Sequence, residues 1–354
     1  MVTDQAEPMS KAAMPLSNPD TIKVLFLPLT SLQYASSRHR VFNYADKLPS
    51  YGINVKILHP SAYKFSAKVI YIFRLLPNLC WADVVVIQKK LFRLPLYLLI
   101  RLLNNRIVFD FDDAIYAEGD QIKKMLNRVL KSSRHVIVGN RQLENYVREF
   151  MTRITCIATP IDLQVFTPVP KEHSDSSVVT IGWMGLGGNQ YHVELLEPVF
   201  ERLYQRKGNG VQLMVISNHN FHFRNCQLPV VNIEWSLSSE LESLRSIDIG
   251  IMPLTDDEFS RGKCAFKALQ YMSLSIATVA SPVGMNCDVI HHGENGLLAE
   301  TEEEWFKALS DLIENPELRK KLGMEARKTV EQEYCYEVTT PRLAKALRQA
   351  ASLE

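Results

Sequence analysis

The stretch DIGIMPLTDDEFSRGKCAFKALQYMSLSIATVASPVGMNCDVIHHGENGLL, residues 248–298, decides the fold. It is bracketed by two short apolar runs, 247–252 and 276–280, each the length of a buried strand. Between them lies an acidic, polar loop and then a segment, 263–273, that reads as a helix. Strand, helix and strand in this order form a β-α-β unit, and such units build parallel sheets covered by helices on both faces.

The same alternation runs outward from this unit in both directions. Toward the amino terminus the expected strands are 179–184, 213–217 and 230–233, separated by helices at 193–204 and 237–244. Toward the carboxyl terminus helices are expected at 303–313, 316–331 and 338–352. A first series precedes all of these, with strands at 23–27, 54–58, 84–87, 107–111, 136–138 and 154–157 and helices at 38–48 and 121–131. The two series are separated by residues 159–177, which hold Pro160, Pro168, Pro170 and a polar KEHSDSS run without periodicity, the pattern of a linker. The expected organisation is a disordered tail over 1–20, an α/β half over 21–165, a second α/β half over 166–335, and a last helical segment, 336–354, crossing back to the first half.

A chain of 354 residues is longer than one hydrophobic core usually supports, which agrees with two halves. With 46% hydrophobic residues, 22% charged residues and a net charge of +1, the composition excludes a disordered chain and a nucleic-acid coat protein. The six cysteines, Cys80, Cys156, Cys226, Cys264, Cys287 and Cys335, form no C-x-x-C pair, which suits reduced thiols in a cytoplasmic protein. The first twenty residues lack the apolar core of a secretory signal. The most apolar region, 67–103, is broken by charges and prolines before it reaches the roughly 20 residues of a bilayer span. Its segment LFRLPLYLLIRLL, 91–103, has two readings: a helix packed on the sheet, or a peripheral helix lying on a membrane with basic heads at the lipid phosphates.

In open parallel sheets ligands bind beyond the carboxyl ends of the strands, where loops enter helices and backbone N–H groups attract anions. With two sheets, the cleft between them is the expected site. Its richest loop follows Pro253, where Arg261, Gly262 and Lys263 open the expected helix and Lys267 follows one turn later. Glycine admits a close ligand and the lysines offer charge to a phosphate, although a solvated basic face has the same pattern. In the first half, Asp110, Asp112 and Asp113 end the strand 107–111. They read as sugar-hydroxyl acceptors, helix caps or a metal clamp. Gly185, Gly187 and Gly188 follow the first strand of the second half, a weak nucleotide-turn signal. Arg38 and Arg40, before the first helix, face a phosphate, an acceptor or the solvent. His291 and His292 read as exposed loop histidines.

These loops, in this order, resemble the retaining glycosyltransferases of family 4, two Rossmann-like domains facing across a cleft in the GT-B fold. The likeness covers nearly the whole chain after residue 20 and is strongest over DIGIMPL, RGKCAFKALQYMS, ATVASPVG and HHGENGLL. It implies transfer of a sugar from a nucleotide-diphosphate sugar to a hydroxyl of a glycan or lipid-linked acceptor, in glycan, glycolipid or polysaccharide biosynthesis. No nucleic acid and no divalent metal or other cofactor enters that scheme. By position it implies donor contacts from Gly185, Gly187, Pro253, Gly262, Lys263, Cys264, Lys267 and Gln270. Asp112 and Lys263 are expected in catalysis, and Arg38, Arg40, Asp113 and Asn140 on the acceptor or phosphate side.

The chain departs from the family pattern at several points. Gly262 and Gln270 stand where the family usually has two glutamates, Asp112 where many members have a histidine, and the usual arginine and lysine are missing between Gly185 and His192. These losses leave open a non-catalytic relative acting as a binding or scaffold subunit, and a nucleotide-sugar epimerase of the same architecture.

Overall fold

The computed structural model of the chain describes residues 21–60, 65–169 and 178–352. The expected tail over 1–20 and the KEHSDSS run of the linker lie outside them. In the first half, β1 (Ile22–Leu27), β2 (Ile53–Ile57), β3 (Val84–Gln88), β4 (Ile107–Phe111), β5 (His135–Val138) and β6 (Ile154–Cys156) form one parallel sheet in the order β2-β1-β3-β4-β5-β6. Every residue of β3, β4 and β5 is buried, which is why VVVIQ, IVFDF and HVIV read as continuous apolar runs without alternation.

Alternate residues of each strand serve opposite faces of this sheet. Leu25, Leu27, Val85 and Ile87 point to one core, shared with Leu75, Leu79, Tyr97 and Ile100 of two covering helices. Val24, Phe26, Val84 and Val86 point to the other, where they meet Tyr336, Leu343 and Leu347 of the chain's last helix, Tyr336–Ala351. The end of the sequence thus completes the core of its beginning.

The second half repeats the plan. Its strands β7 (Val179–Met184), β8 (Val211–Ser217), β9 (Val230–Glu234), β10 (Ile249–Met252), β11 (Ala277–Ala280) and β12 (Leu297–Leu298) are parallel in the order β12-β11-β10-β7-β8-β9. The chain crosses between the halves twice, and the crossings run side by side: Ile161 N–H donates to the Tyr334 carbonyl at 2.8 Å and Tyr336 N–H to the Ile161 carbonyl at 3.3 Å.

Local departures from the expected helices have physical causes. The segment expected as one helix over 38–48 runs through a wider π turn, Arg38–Phe42, between two short α-helical pieces. The helix expected over 193–204 breaks into Tyr191–Glu194 and Glu197–Lys207, with Pro198 in the first turn of the second piece.

That π turn buries Arg40. Its Nε lies 2.9 Å from Asp110 Oδ2 in β4, and its Nη1 donates to the Ile157 carbonyl at 2.9 Å and to Thr159 Oγ1 at 3.3 Å. One side chain therefore ties the first helical segment, the middle of the sheet and the start of the crossing strand. The reading of Arg40 as a phosphate or acceptor ligand is corrected accordingly, because each of its three nitrogens already donates to a protein oxygen. Asp110→Asn would leave a buried guanidinium without its counter-charge and should destabilise the fold by about 3–5 kcal/mol, read as a lowered urea midpoint by circular dichroism.

Candidate functional site

The carboxyl ends of both sheets converge on the cleft. On the first wall, Lys89 follows β3 with a left-handed backbone, φ 56°, a conformation costly for lysine. Its amine pairs with Asp113 and lies 3.5 Å from Asp112 Oδ1, which also accepts from Ser36 Oγ at 3.0 Å. Burial alone would raise the Asp112 pKa, but Lys89, then Arg40 and the Ser36 hydroxyl, outweigh it and hold the carboxyl below its ordinary range. Asp112 is therefore a buried, ionised carboxylate. The clamp and cap readings of the aspartate run are both corrected: Asp110 is spent on Arg40, Asp112 and Asp113 on Lys89, and the turn Ile115–Glu118 has no side-chain cap. Among the described residues no group of three His, Cys, Asp or Glu side chains could hold a metal ion.

Several contacts bind this wall to the opposite one. Asn140 caps the helix Arg141–Arg148, its Oδ1 accepting from Leu143 N–H at 2.9 Å. Its Nδ2 donates to the carbonyls of Gly262 and Lys263 at 2.9 and 3.0 Å. Gly262 lies so close to Ala114 that an added Cβ would stand 2.3 Å from the Ala114 Cβ and 2.8 Å from its nitrogen. Arg38 reaches across to Glu240: its Nη2 donates to Oε2 at 3.0 Å, while Gln270 Nε2 donates to Oε1 at 2.6 Å. Beside this pair the ring of His39 packs 4.7 Å, centroid to centroid, from Phe266. Arg38 is thus a bridge between the halves in this arrangement, not a free cation in the cleft.

The second wall gathers cationic and polar donors. Ala265 adopts a left-handed backbone, φ 50°, and starts the helix Phe266–Ser273 without any side-chain cap, so no side chain at its N-cap satisfies its first N–H groups. Lys263 precedes this helix, which corrects the expected helix start and removes the shared helical face with Lys267. The two amines still feel each other. Burial first and Lys263 next push the Lys267 amine down to about 8, and burial likewise lowers Lys263. Lys267 Nζ stands 5.8 Å from the Trp183 ring centroid, and a Cβ on Gly185 would come within 2.9 Å of the Lys267 Cε, so the glycine makes room for the lysine. Lys263 Nζ approaches Asn189 Oδ1 at 3.4 Å.

His192 joins this cluster, and sequence reasoning passed over it because a lone histidine after a glycine turn carries no motif. Thr255 N–H donates to its Nδ1 at 3.3 Å. Burial, then Lys263 and Lys267, lower its pKa to about 4, so the ring is neutral and its proton sits on Nε2. That Nε2 is buried and has no hydrogen-bond partner among the described residues. Two expected donors are less available: Gly185 N–H goes to the Ile216 carbonyl at 3.0 Å and Gly187 N–H to Asn218 Oδ1 at 2.8 Å. The Cys264 thiol, pushed up to about 12 chiefly by burial, is no nucleophile. Gln270 is buried, and its Oε1 is left without a partner.

With this geometry in hand, the chain can be set beside known proteins. It is similar in structure to sucrose-phosphate synthase from Thermosynechococcus elongatus, with a TM-score of 0.72 at 14% identity, covering 94% of this chain and 100% of that one. Anabaena HepE, solved in complex with UDP and glucose, follows at a TM-score of 0.68 and 12% identity, covering 92% and 99%. The fold is GT-B. The catalytic domain of starch synthase IV from Arabidopsis thaliana, bound to ADP and acarbose, shares it at a TM-score of 0.65, 10% identity and coverage of 94% and 99%. Residues 175–315 match the glycosyl transferases group 1 family, a domain of transferase enzymes. Among curated proteins none matches the chain.

The GT-B halves are in close contact at Gly262. Gly262→Ala should force Ala114 and the 262–263 carbonyls apart, lowering the thermal midpoint and enlarging the radius of gyration measured by small-angle X-ray scattering. An unchanged radius and midpoint would mean that the halves do not meet there in solution.

Proposed function

We propose that the protein transfers a sugar from a nucleotide-diphosphate sugar to an acceptor hydroxyl, with retention at the anomeric carbon, in glycan, glycolipid or polysaccharide biosynthesis. The observation that carries this reading is the group of donors without a counter-charge on the second wall: Lys263, Lys267, the uncapped helix start at Phe266, and the Nε2–H of His192, which has no acceptor among the described residues. A diphosphate entering between them would restore full charge to the amines and give the buried imidazole its acceptor. As the glycosidic bond loosens, negative charge grows on the leaving diphosphate, and donors fixed beforehand stabilise it more than they stabilise the bound ground state. In this scheme Asp112, ionised on the facing wall, accepts from a sugar hydroxyl, and Gln270 offers its free carbonyl to the nucleoside. HepE and starch synthase IV were solved with UDP and ADP, so these two nucleotides are the first to test.

A second reading is favoured by one feature, the closed contact at Gly262, which leaves no side chain where the family usually has a glutamate. On that reading the chain is a binding or scaffold subunit, which would bind no nucleotide sugar and hydrolyse none. Action in the cytoplasm, with peripheral contact at the inner face of a membrane, belongs to the first reading. No helix among the described residues is long and apolar enough to cross a bilayer.

Two measurements test the donor site. Lys263→Ala should weaken nucleotide-sugar binding by about 1.5–3 kcal/mol in a calorimetric titration, the loss of a charge-assisted bond; unchanged affinity removes the assignment. Affinity for UDP or ADP should be greatest below the Lys267 value of about 8 and fall as the pH rises through it, because only the protonated amine attracts the diphosphate. Near that pH, binding should take up protons, seen as heats that vary with the ionisation enthalpy of the buffer. A flat profile from pH 7 to about 9 would exclude Lys267 from the site.

A further inference from the structure

The helices Phe65–Trp81 and Leu94–Leu103 cover one face of the first sheet, and each turns a regular apolar stripe into its core: Tyr71, Leu75 and Leu79 from one, Tyr97 and Ile100 from the other. A surface helix ordinarily places polar residues opposite such a stripe. These two do not. Their outward faces present Ile70 at 53% exposure, Phe73 at 72%, Leu98 at 51% and Leu102 at 82%. The charges interleaved with them have one sign: Arg74, Arg93 and Arg101 are all exposed.

This bias extends along the segment. Between Val69 and Arg106 the sequence holds Arg74, Lys89, Lys90, Arg93, Arg101 and Arg106 against a single acid, Asp83, whose carboxylate accepts from Lys23 N–H at 2.7 Å where the sheet begins. At the far end of the stripe, Arg101, Arg106, Asn104 and Asn105 line a polar hollow of about 370 Å3 together with Leu102. Lone exposed apolar residues are commonplace, but a stripe on two adjacent helices, interleaved with cations and ending at an arginine-lined hollow, is not.

We propose that this face lies on an anionic lipid surface. Phe73, Leu98 and Leu102 enter the boundary between headgroups and acyl chains, while Arg74, Arg93 and Arg101 meet lipid phosphates, and the hollow accepts one headgroup. An acidic protein partner would satisfy the arginines but not the apolar residues set between them. The surface also lies near the cleft. Lys89, which pairs with Asp112 and Asp113, is five residues from Leu94, a separation of at most about 17 Å. Docking would therefore hold the cleft mouth close to the headgroups, within reach of a lipid-linked acceptor. The docking deepens the peripheral membrane contact proposed above, and the reach to an acceptor rests on the proposed transfer.

Vesicle sedimentation tests the docking without donor or turnover. The full chain should pellet with vesicles of phosphatidylcholine containing phosphatidylglycerol, pellet little with phosphatidylcholine alone, and release in high salt. A Phe73→Ser, Leu102→Ser double variant and an Arg93→Gln, Arg101→Gln double variant should each partition roughly tenfold less. Their far-ultraviolet circular dichroism and UDP titration should match those of the unaltered chain, since these side chains are exposed and outside the cleft. Failure of the unaltered chain to bind anionic vesicles, or equal binding by both variants, overturns the proposal. So does a dimer in light scattering that Phe73→Ser, Leu102→Ser dissolves, which would make the face an interface between copies. Loss of UDP binding with vesicle binding intact would count against glycosyl transfer alone.

Discussion

The geometry of the cleft depends on two buried side chains of the first half that are bonded to the second. Asn140 uses one end of its amide to cap its own helix and the other to grip the carbonyls of residues 262 and 263. Arg38 delivers a positive charge to Glu240. Both interactions are largely buried, where an unmatched partner is expensive, so each favours this relative position of the halves. Because Asn140 holds the Lys263 carbonyl, the placement of a donor-side lysine is fixed by the acceptor-side domain.

That arrangement concentrates cations that are not neutralised. Lys89 has two carboxylates beside it, and the local charge there closes. Among the described residues Lys263 and Lys267 form no ion pair with a carboxylate. They face each other, a neutral histidine and an uncapped helix start, and each carries a lowered proton affinity. A protein interior that keeps two amines close without a counter-ion is poised for an anion, since binding one would relieve both the desolvation and the mutual repulsion. The same logic explains why the imidazole stays neutral: protonated, it would add a third positive charge to the cluster.

The sheets were legible in the sequence because parallel strands buried on both faces leave continuous apolar runs such as VVVIQ and IVFDF. β12, two residues long, was not, because it is too short to carry any pattern. The donor loop was legible in composition but not in conformation: nothing in RGKCAFK announces that Ala265 takes a left-handed backbone and delays the helix to Phe266. Arg38 and Arg40, two positions apart, were indistinguishable by type, yet the π turn sends one to Glu240 and the other to Asp110. Glu240 itself reads as an ordinary surface charge on a short helix. Only the fold brings it beneath Gln270.

The missing glutamates then have a physical account in the chain's own packing. At position 262 any side chain meets Ala114 across the cleft, so a glutamate there is incompatible with the observed approach of the halves. At position 270 the neighbour is Glu240, 2.6 Å from the amide nitrogen of Gln270. A second carboxylate at that distance would set two negative charges in one buried space, and one of them would be forced to take a proton. Glutamine avoids this by donating to Glu240 through Nε2 while keeping an acceptor oxygen free. Arg38, which satisfies the other oxygen of Glu240, belongs to the same exchange. Glu240, at the start of the helix Glu240–Arg245 and neutralised by Arg38 from the first half, supplies the carboxylate beside position 270. On this account glutamine at 270 and glycine at 262 follow from the closed interface, so reversing either one alone should disturb the interface before it could change the chemistry.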